Sequence, residues 1–258
     1  MSKTSPTPEE LAKASFGERA AFYTTSAIHA DPQVLARVVE LAAPQPAWRV
    51  LDIATGSGHT AFAVAPRVRT VIAVDLTAQM VVEAHGLRAT RGLTNVELAL
   101  ADVHHLPFAN GAFDLITCRR AAHHFSSIAA AVDEMRRVLR PAGRLVIDDR
   151  SVPEDDFVDW CMNTLDTYHD PSHVREYRPS EWQRLLQQGG FAIESVNGYV
   201  LHRPISALSG DVPPDRAVKI DSLLRGLDAA QRSAMGLVEV EGDPHLNHWY
   251  VMVAAVKR

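Results

Sequence analysis

The chain has 258 residues, enough for one large domain with additions and too few for two domains of ordinary size. A hydrophobic fraction of 47% beside 22% charged residues is that of a globular chain, and a net charge of −5 argues against a surface devoted to nucleic acid, which needs clustered positive charge. Two cysteines, Cys118 and Cys161, exclude a disulfide framework and a thiolate metal cluster, and no apolar run reaches membrane-spanning length, so the expectation is a cytoplasmic protein with no membrane span.

Residues 1–10 are polar, with Pro6 and Pro8, and predict a loosely attached end. From Glu9 to Ala43 the pattern is helical with a break at Asp31-Pro32, giving a helical leader or cap over 1–43 ahead of a core over 44–258. RVLDIA (49–54) predicts a strand, the segment after Gly58 a helix, TVIAVDL (70–76) a strand, and AQMVVEAHGLRATRG (78–92) a helix stopped at Gly92. VELALAD (96–102) and FDLITCR (113–119) are strands. SSIAAAVDEMRRVLRPAG follows as an amphipathic helix closed by Pro141 and Gly143, and RLVIDDR (144–150) as a strand. Residues 151–180 interrupt the alternation after the fifth strand, and their Asp, His and Pro content predicts a helix over 155–168 with a substrate-side loop. SEWQRLLQQGGF predicts a helix, FAIESVNGYVL (191–201) a strand, PPDRAVKIDSLLRGLDAAQRSAM one helix and HWYVMVAAVKR a last strand. The sum is an α/β fold: a doubly wound, mostly parallel, seven-stranded sheet with an N-terminal helical cap and an insertion after the fifth strand.

GSGHTA (56–61) fits the pattern G-x-G-x-x-A at the end of a strand. Glycines there let a ligand approach the backbone, so the motif alone admits a dinucleotide, another nucleoside cofactor or a plain tight turn. Asp52 tilts the choice, because a carboxylate at the strand end repels a pyrophosphate and suits a cation. Asp75, about 20 residues past the turn, can accept both ribose hydroxyls, a role shared with NAD proteins. Asp102, closing the third strand, can bond an adenine amino group.

VLDIATGSGHT, VIAVDLT, LADVHHLPFANGAFDLITCRRAAHHF and VLRPAGRLVIDD, in this order, resemble the class I S-adenosylmethionine-dependent methyltransferases, in the branch that looks like the type 11 and quinone-biosynthesis enzymes. The resemblance covers about 40–150, and FGERAAFYTTSAIH and DPSHVREY also look like segments of bacterial members. It implies a Rossmann-like fold, S-adenosylmethionine as donor and S-adenosylhomocysteine as product. Asp52 with the backbone of Ala54, Thr55, Gly56, Ser57 and Gly58 would hold the methionine part, Asp75 the ribose with Leu76 and Met80 alongside, and Asp102 and Val103 the adenine. Arg119 would lie near the sulfonium, and Tyr23 would help to close the site.

Methyl transfer from a sulfonium is an in-line displacement that needs placement first, and a base only where the acceptor must lose a proton. His124 and His173 are the candidate catalytic residues, each with a packed or solvated structural role as the alternative. His123, His169, Arg175 and Tyr177 are the candidate substrate contacts, and His104-His105 should shape the adenine pocket. His169 and His173 have the i, i+4 spacing of a helical metal pair, but Pro171 lies between them and no third ligand is evident, so no metal is expected. A small-molecule acceptor, no nucleic-acid partner and a homodimer complete the expectation. Two rivals remain: a cofactor-binding relative that transfers no methyl, and an NAD-dependent reductase, against which no tyrosine has a lysine four residues later.

Overall fold

A computed structural model describes residues 6–258. Alternation of apolar runs with glycine and proline breaks produces eight strands: β1 (Arg49–Ile53), β2 (Thr70–Asp75), β3 (Val96–Leu100), β4 (Phe113–Arg119), β5 (Leu139–Ser151), β6 (Phe191–Pro204), β7 (Val238–Val240) and β8 (Asp243–Lys257). They form one sheet in the order β3-β2-β1-β4-β5-β8-β6, with β7 paired to β8. The first five are mutually parallel, and β8 runs antiparallel between β5 and β6. The order reverses beside β1, so a crevice opens at the carboxyl ends of β1 and β4, where ligands of open α/β sheets bind.

Strand periodicity sends alternate residues to opposite faces, and in β1, β2 and β4 both faces are buried. Leu51 and Ile53 of β1 join Ile116 and Cys118 of β4 under helices α6 (Ile128–Val138) and α8 (Pro179–Gln188), whose Met135 and Trp182 are fully enclosed. Val50 and Leu115 face the other way, onto α3 (Pro32–Ala42), α4 (His59–Val64) and α5 (Ala78–Thr90). Helix α3 therefore belongs to a layer of the sandwich rather than to a cap; of the leader, α1 (Pro8–Glu18) and α2 (Ala20–Thr25) alone lie over the crevice end, against α5.

A third cluster stands apart from the sheet. Met162 and Leu165 of α7 (Asp156–His169) pack with Leu208 of α9 (Ser206–Ser209), with Ile220 and Leu224 of α10 (Pro214–Arg225), and with Met235 just after α11 (Ala229–Ala234). This lobe is thus built from two insertions, one after β5 and one after β6.

Four expectations change. The sheet has eight strands, because Glu241 and Gly242, both at positive φ, turn Val240 back onto Asp243 as a tight hairpin. The single helix expected over 213–235 is two, since Asp228 and Gln231 cap each other and start α11 afresh. Helix α6 ends at Val138, and Pro141 and Gly143 already lie within β5. The loose end expected over 1–10 lies partly outside the described residues, and within them Thr7 and Glu10 form a reciprocal capping box that starts α1 at Pro8.

Candidate active site

The chain leaves β1 through a turn that bends repeatedly into the left-handed region, at Ala54 (φ 52°), Gly56 (φ 54°) and Gly58 (φ 91°). At Gly58 the requirement is steric as well, because a Cβ would stand 2.3 Å from the Phe62 ring. Strain at the non-glycine Ala54 marks a place where the fold overrides local preference, as binding turns do.

Three strand-end acids frame the crevice. The Asp52 carboxylate accepts the hydroxyls of Thr55 and Thr117, each at 2.6 Å, and burial pushes it up to about 6. Asp75 accepts the N–H of Gly56 at 2.8 Å and of Thr77 at 2.9 Å, tying β2 to the glycine turn, and burial outweighs these bonds and raises it. Asp102 is more open. Partial burial would raise it, but the N–H of His104 at 2.9 Å and the His104 ring at 2.8 Å hold it below the usual range.

Asp52, Asp75, Asp102, Ala54, Thr55, Gly56, Ser57, Leu76, Met80, Val103, Arg119 and Tyr23 all line one cleft of about 1040 Å³. Gly58 does not line it and acts one step removed, as the cap of α4. The leader supplies residues that the sequence reading missed: Glu9, Ala12, Phe16 and His29 close the same cleft. Two straps hold the leader there. Arg119 donates to the His29 carbonyl at 2.5 Å and to the Thr60 hydroxyl at 2.8 Å, and Arg120 donates to the Ile28 carbonyl at 3.0 Å. The His59 ring, 3.1 Å from the Tyr23 carbonyl, adds a third tie. The signal for these was the arginine doublet at the end of β4.

A second cavity, of about 1020 Å³, adjoins the first; Phe16, Tyr23, His29, Arg120 and His124 belong to both. His123, His169 and His173 line it as well. His123 is the best oriented of them: its Nδ1 lies 2.6 Å from the buried Asp149 carboxylate, which also accepts the His123 backbone N–H at 2.9 Å. Asp149 had no part in the sequence reading, because RLVIDDR reads as a plain apolar strand with a polar end.

The two residues favoured as bases are engaged elsewhere. The His124 ring lies 3.1 Å from the Ser172 carbonyl, and burial, then the neighbouring His123, lowers it to about 3. His173 Nε2 lies 3.0 Å from Asn163 Oδ1, and burial lowers it to about 4. His169 ends α7 with its Nδ1 2.8 Å from the Leu208 carbonyl, and His173 stands beyond the helix, so the pair does not share a helical face. Arg175 and Tyr177 face neither cavity. Arg175 is bound by Asp159 at 3.0 Å and Glu181 at 2.9 Å, while Tyr177 packs edge-on against Trp182, its centroid 5.5 Å away. Two residues apart on an extended segment, Arg175 and Tyr177 share a face, with the guanidinium 5.7 Å from the Tyr177 ring, while Glu176 between them points the other way, to Arg150 of the second cavity.

The site's make-up tests which nucleoside fits. Three carboxylates with apolar walls at Leu76, Met80, Val103 and Phe125 suit an adenosine that carries positive charge. A pyrophosphate would meet Asp52, and behind the turn α4 has only six residues. A mostly parallel sheet with this crevice and acid set agrees with what the relatives below show: the chain belongs to the class I S-adenosylmethionine-dependent methyltransferases of type 11.

The family described as "Methyltransferase domain" matches residues 51–147. The uncharacterized methyltransferase YcgJ of Bacillus subtilis is 38% identical over 209 residues, which is 80% of this chain and 82% of that protein. Its crystal structure superposes with a TM-score of 0.81 at 35% identity, covering 87% of this chain and 97% of that one. A demethylmenaquinone methyltransferase of Thermus thermophilus is 37% identical over 120 residues, 46% of this chain and 54% of that enzyme. Among the described residues no helix is long and apolar enough to cross a membrane.

Proposed function

We propose that this chain transfers the methyl group of S-adenosylmethionine to an oxygen, carbon or nitrogen nucleophile of a small molecule held in the second cavity. The observation that carries this is the junction of the two cavities: the cleft of Asp52, Asp75 and Asp102 opens through Tyr23, Arg120 and His124 onto a chamber lined by histidines and arginines. Relatives named for a quinone precursor and for nocamycin O-methylation support an acceptor of low molecular weight.

In this reading Asp52 with the 54–57 backbone holds the methionine end, Asp75 the ribose, and Asp102, Val103 and His104 the adenine. The bound cofactor supplies an electrophilic methyl group. The protein's part is placement and exclusion of water, since α1 and α2 cover the cleft and Tyr23 stands where the two ligands meet. Where the acceptor must lose a proton, His123 takes it. Asp149 fixes the ring through Nδ1, which leaves Nε2 as the free nitrogen, whereas burial lowers His124 to about 3 and His173 to about 4 and makes both poor proton acceptors.

Calorimetric titration with S-adenosylmethionine, S-adenosylhomocysteine and NADH tests the reading. Binding of the two sulfur compounds alone, weakened about 10- to 100-fold by Asp75→Ala as expected for hydrogen bonds to a charged group, supports it. Binding of NADH alone refutes it.

A further inference from the structure

Resting on the reading above, we infer that the second cavity is built for an acceptor that carries an oxyanion, a carboxylate or phosphate, seated on Arg120 with Arg19 and Arg203 around it.

The argument begins with Arg120. Its side chain is 6% exposed, and its backbone is held at φ 52° directly after β4. One nitrogen, Nη1, serves the Ile28 carbonyl, and the guanidinium stacks on Tyr250 at 4.8 Å. Nε and Nη2 are buried and have no hydrogen-bond partner among the described residues, and the nearest carboxylate oxygen, of Asp148, stands 4.0 Å from Nε. A buried guanidinium with two idle donors is costly unless something accepts from them. The planar Nε–Nη edge matches the two oxygens of a carboxylate or phosphate.

Four arginines, Arg19, Arg120, Arg150 and Arg203, line the chamber against three aspartates, Asp166, Asp170 and Asp211. Of these, Arg150 is neutralised by Asp166, at 2.6 Å, and Glu176. Burial would raise Asp170, but His124 and the N–H and hydroxyl of Ser172 hold it below the usual range and so charged, deep on one wall, while Asp211 sits exposed at the rim, which leaves the side of Arg19, Arg120 and Arg203 for an anion. Arg19, stacked on Phe22 and Tyr23, and Arg203, on β6, line the chamber without an ion pair among the described residues. The histidines register the same field: His29 is lowered to about 2, first by burial and then by Arg120, Arg119 and Arg203. The chain as a whole carries −5, so positive charge gathered in one enclosed chamber is selective for its occupant.

The test uses the full-length protein saturated with S-adenosylhomocysteine, titrated calorimetrically with benzoate, its uncharged counterpart benzamide, and inorganic phosphate. The expected result is binding of benzoate or phosphate but not of benzamide, weakened at least tenfold by Arg120→Gln or Arg203→Gln and partly restored by Arg203→Lys. Preference between the two anions tells carboxylate from phosphate. Circular dichroism and thermal unfolding of each variant report folding, and Arg203, half-buried at the chamber wall and outside the cofactor cleft, keeps the test open if Arg120→Gln does not fold. Three results overturn the proposal while the methyltransferase reading stands: benzamide binding as well as benzoate, no binding of either anion, or competition between benzoate and S-adenosylhomocysteine, which would assign the arginines to the cofactor's own carboxylate. Failure of S-adenosylhomocysteine to bind removes the methyltransferase reading and this proposal with it.

Discussion

Asp52 is held where burial penalises its charge, and that makes it a site of conflict between stability and binding. Its folded value of about 6 lies above the ~3.9 of an unfolded aspartate, so the folded state keeps a proton that the unfolded chain has lost. Stability of the unliganded protein should therefore be greatest below this interval, fall as pH rises from about 4 to 6, and stay reduced above it by on the order of 2 kcal/mol. Asp52→Asn removes that penalty, and the Thr55 and Thr117 hydroxyls can rotate to suit an amide. The variant should be more stable than the parent at pH 8 by about 1–2 kcal/mol in urea denaturation, the gap vanishing near pH 4. It should also bind S-adenosylmethionine more weakly, and in the parent protein affinity should drop as pH falls through about 6. A destabilised Asn variant at pH 8 would contradict this account. Asp149 has the opposite sign: burial alone would raise it, but the His123 charge and hydrogen bond bring it down. Its contribution is present above about pH 4 and is lost as pH falls through the lower folded value. Asp149→Asn should thus cost about 1–3 kcal/mol at pH 5–8, a difference that closes in acid.

At the scale of elements, the third apolar cluster shares no buried residue with the two sheet clusters, so it should open on its own. Leu165→Ala, at a fully enclosed position, should cost about 2–5 kcal/mol locally and speed amide exchange in α7, α9 and α10 while β1, β2 and β4 stay protected. Equal loss of protection in the sheet would show one cooperative unit instead. This lobe also marks where the sequence was hardest to read. Strands β1, β2 and β4 were legible because burial on both faces demands unbroken apolar runs, and the three acids stood out because each falls at or just past the end of an apolar run. The second insertion was opaque, since PPDRAVKIDSLLRGLDAAQRSAM has the periodicity of any amphipathic helix and nothing in it names its partner, α7. Strand β7 has three residues, all exposed, and only its Glu241-Gly242 turn betrays it. In the long insertion His173 lines the second cavity, whereas Arg175 is paired with Asp159 and Glu181 and Tyr177 packs on Trp182, contacts that a run of polar residues does not announce.

Across the whole molecule, the cleft is closed by pieces far apart in the chain, the leader at one end and the β1, β2 and β4 ends at its middle, and they meet through a few side-chain ties. The Arg119 and Arg120 straps span 90 and 92 residues, and Thr24 reaches Ser57 and Glu83 at 3.2 and 2.9 Å. A ligand touching both parts should act as a further tie, and the linkage has a definite size. With S-adenosylhomocysteine at about 100 times its dissociation constant, the folded state gains about 2.7 kcal/mol, which for a chain of this length corresponds to roughly 5–10 °C in Tm. If the leader is part of the site, amide protection should rise over 8–25 and in the glycine turn, while α10 and α11, which line neither side of the cleft, stay unchanged. A Tm rise with protection confined to the β1 turn would mean that the cofactor is held by the sheet edge alone. In that case α1 and α2 would serve the acceptor chamber, and the leader residues that both cavities share, Phe16, Tyr23 and His29, would be expected to gain protection only when an acceptor is added.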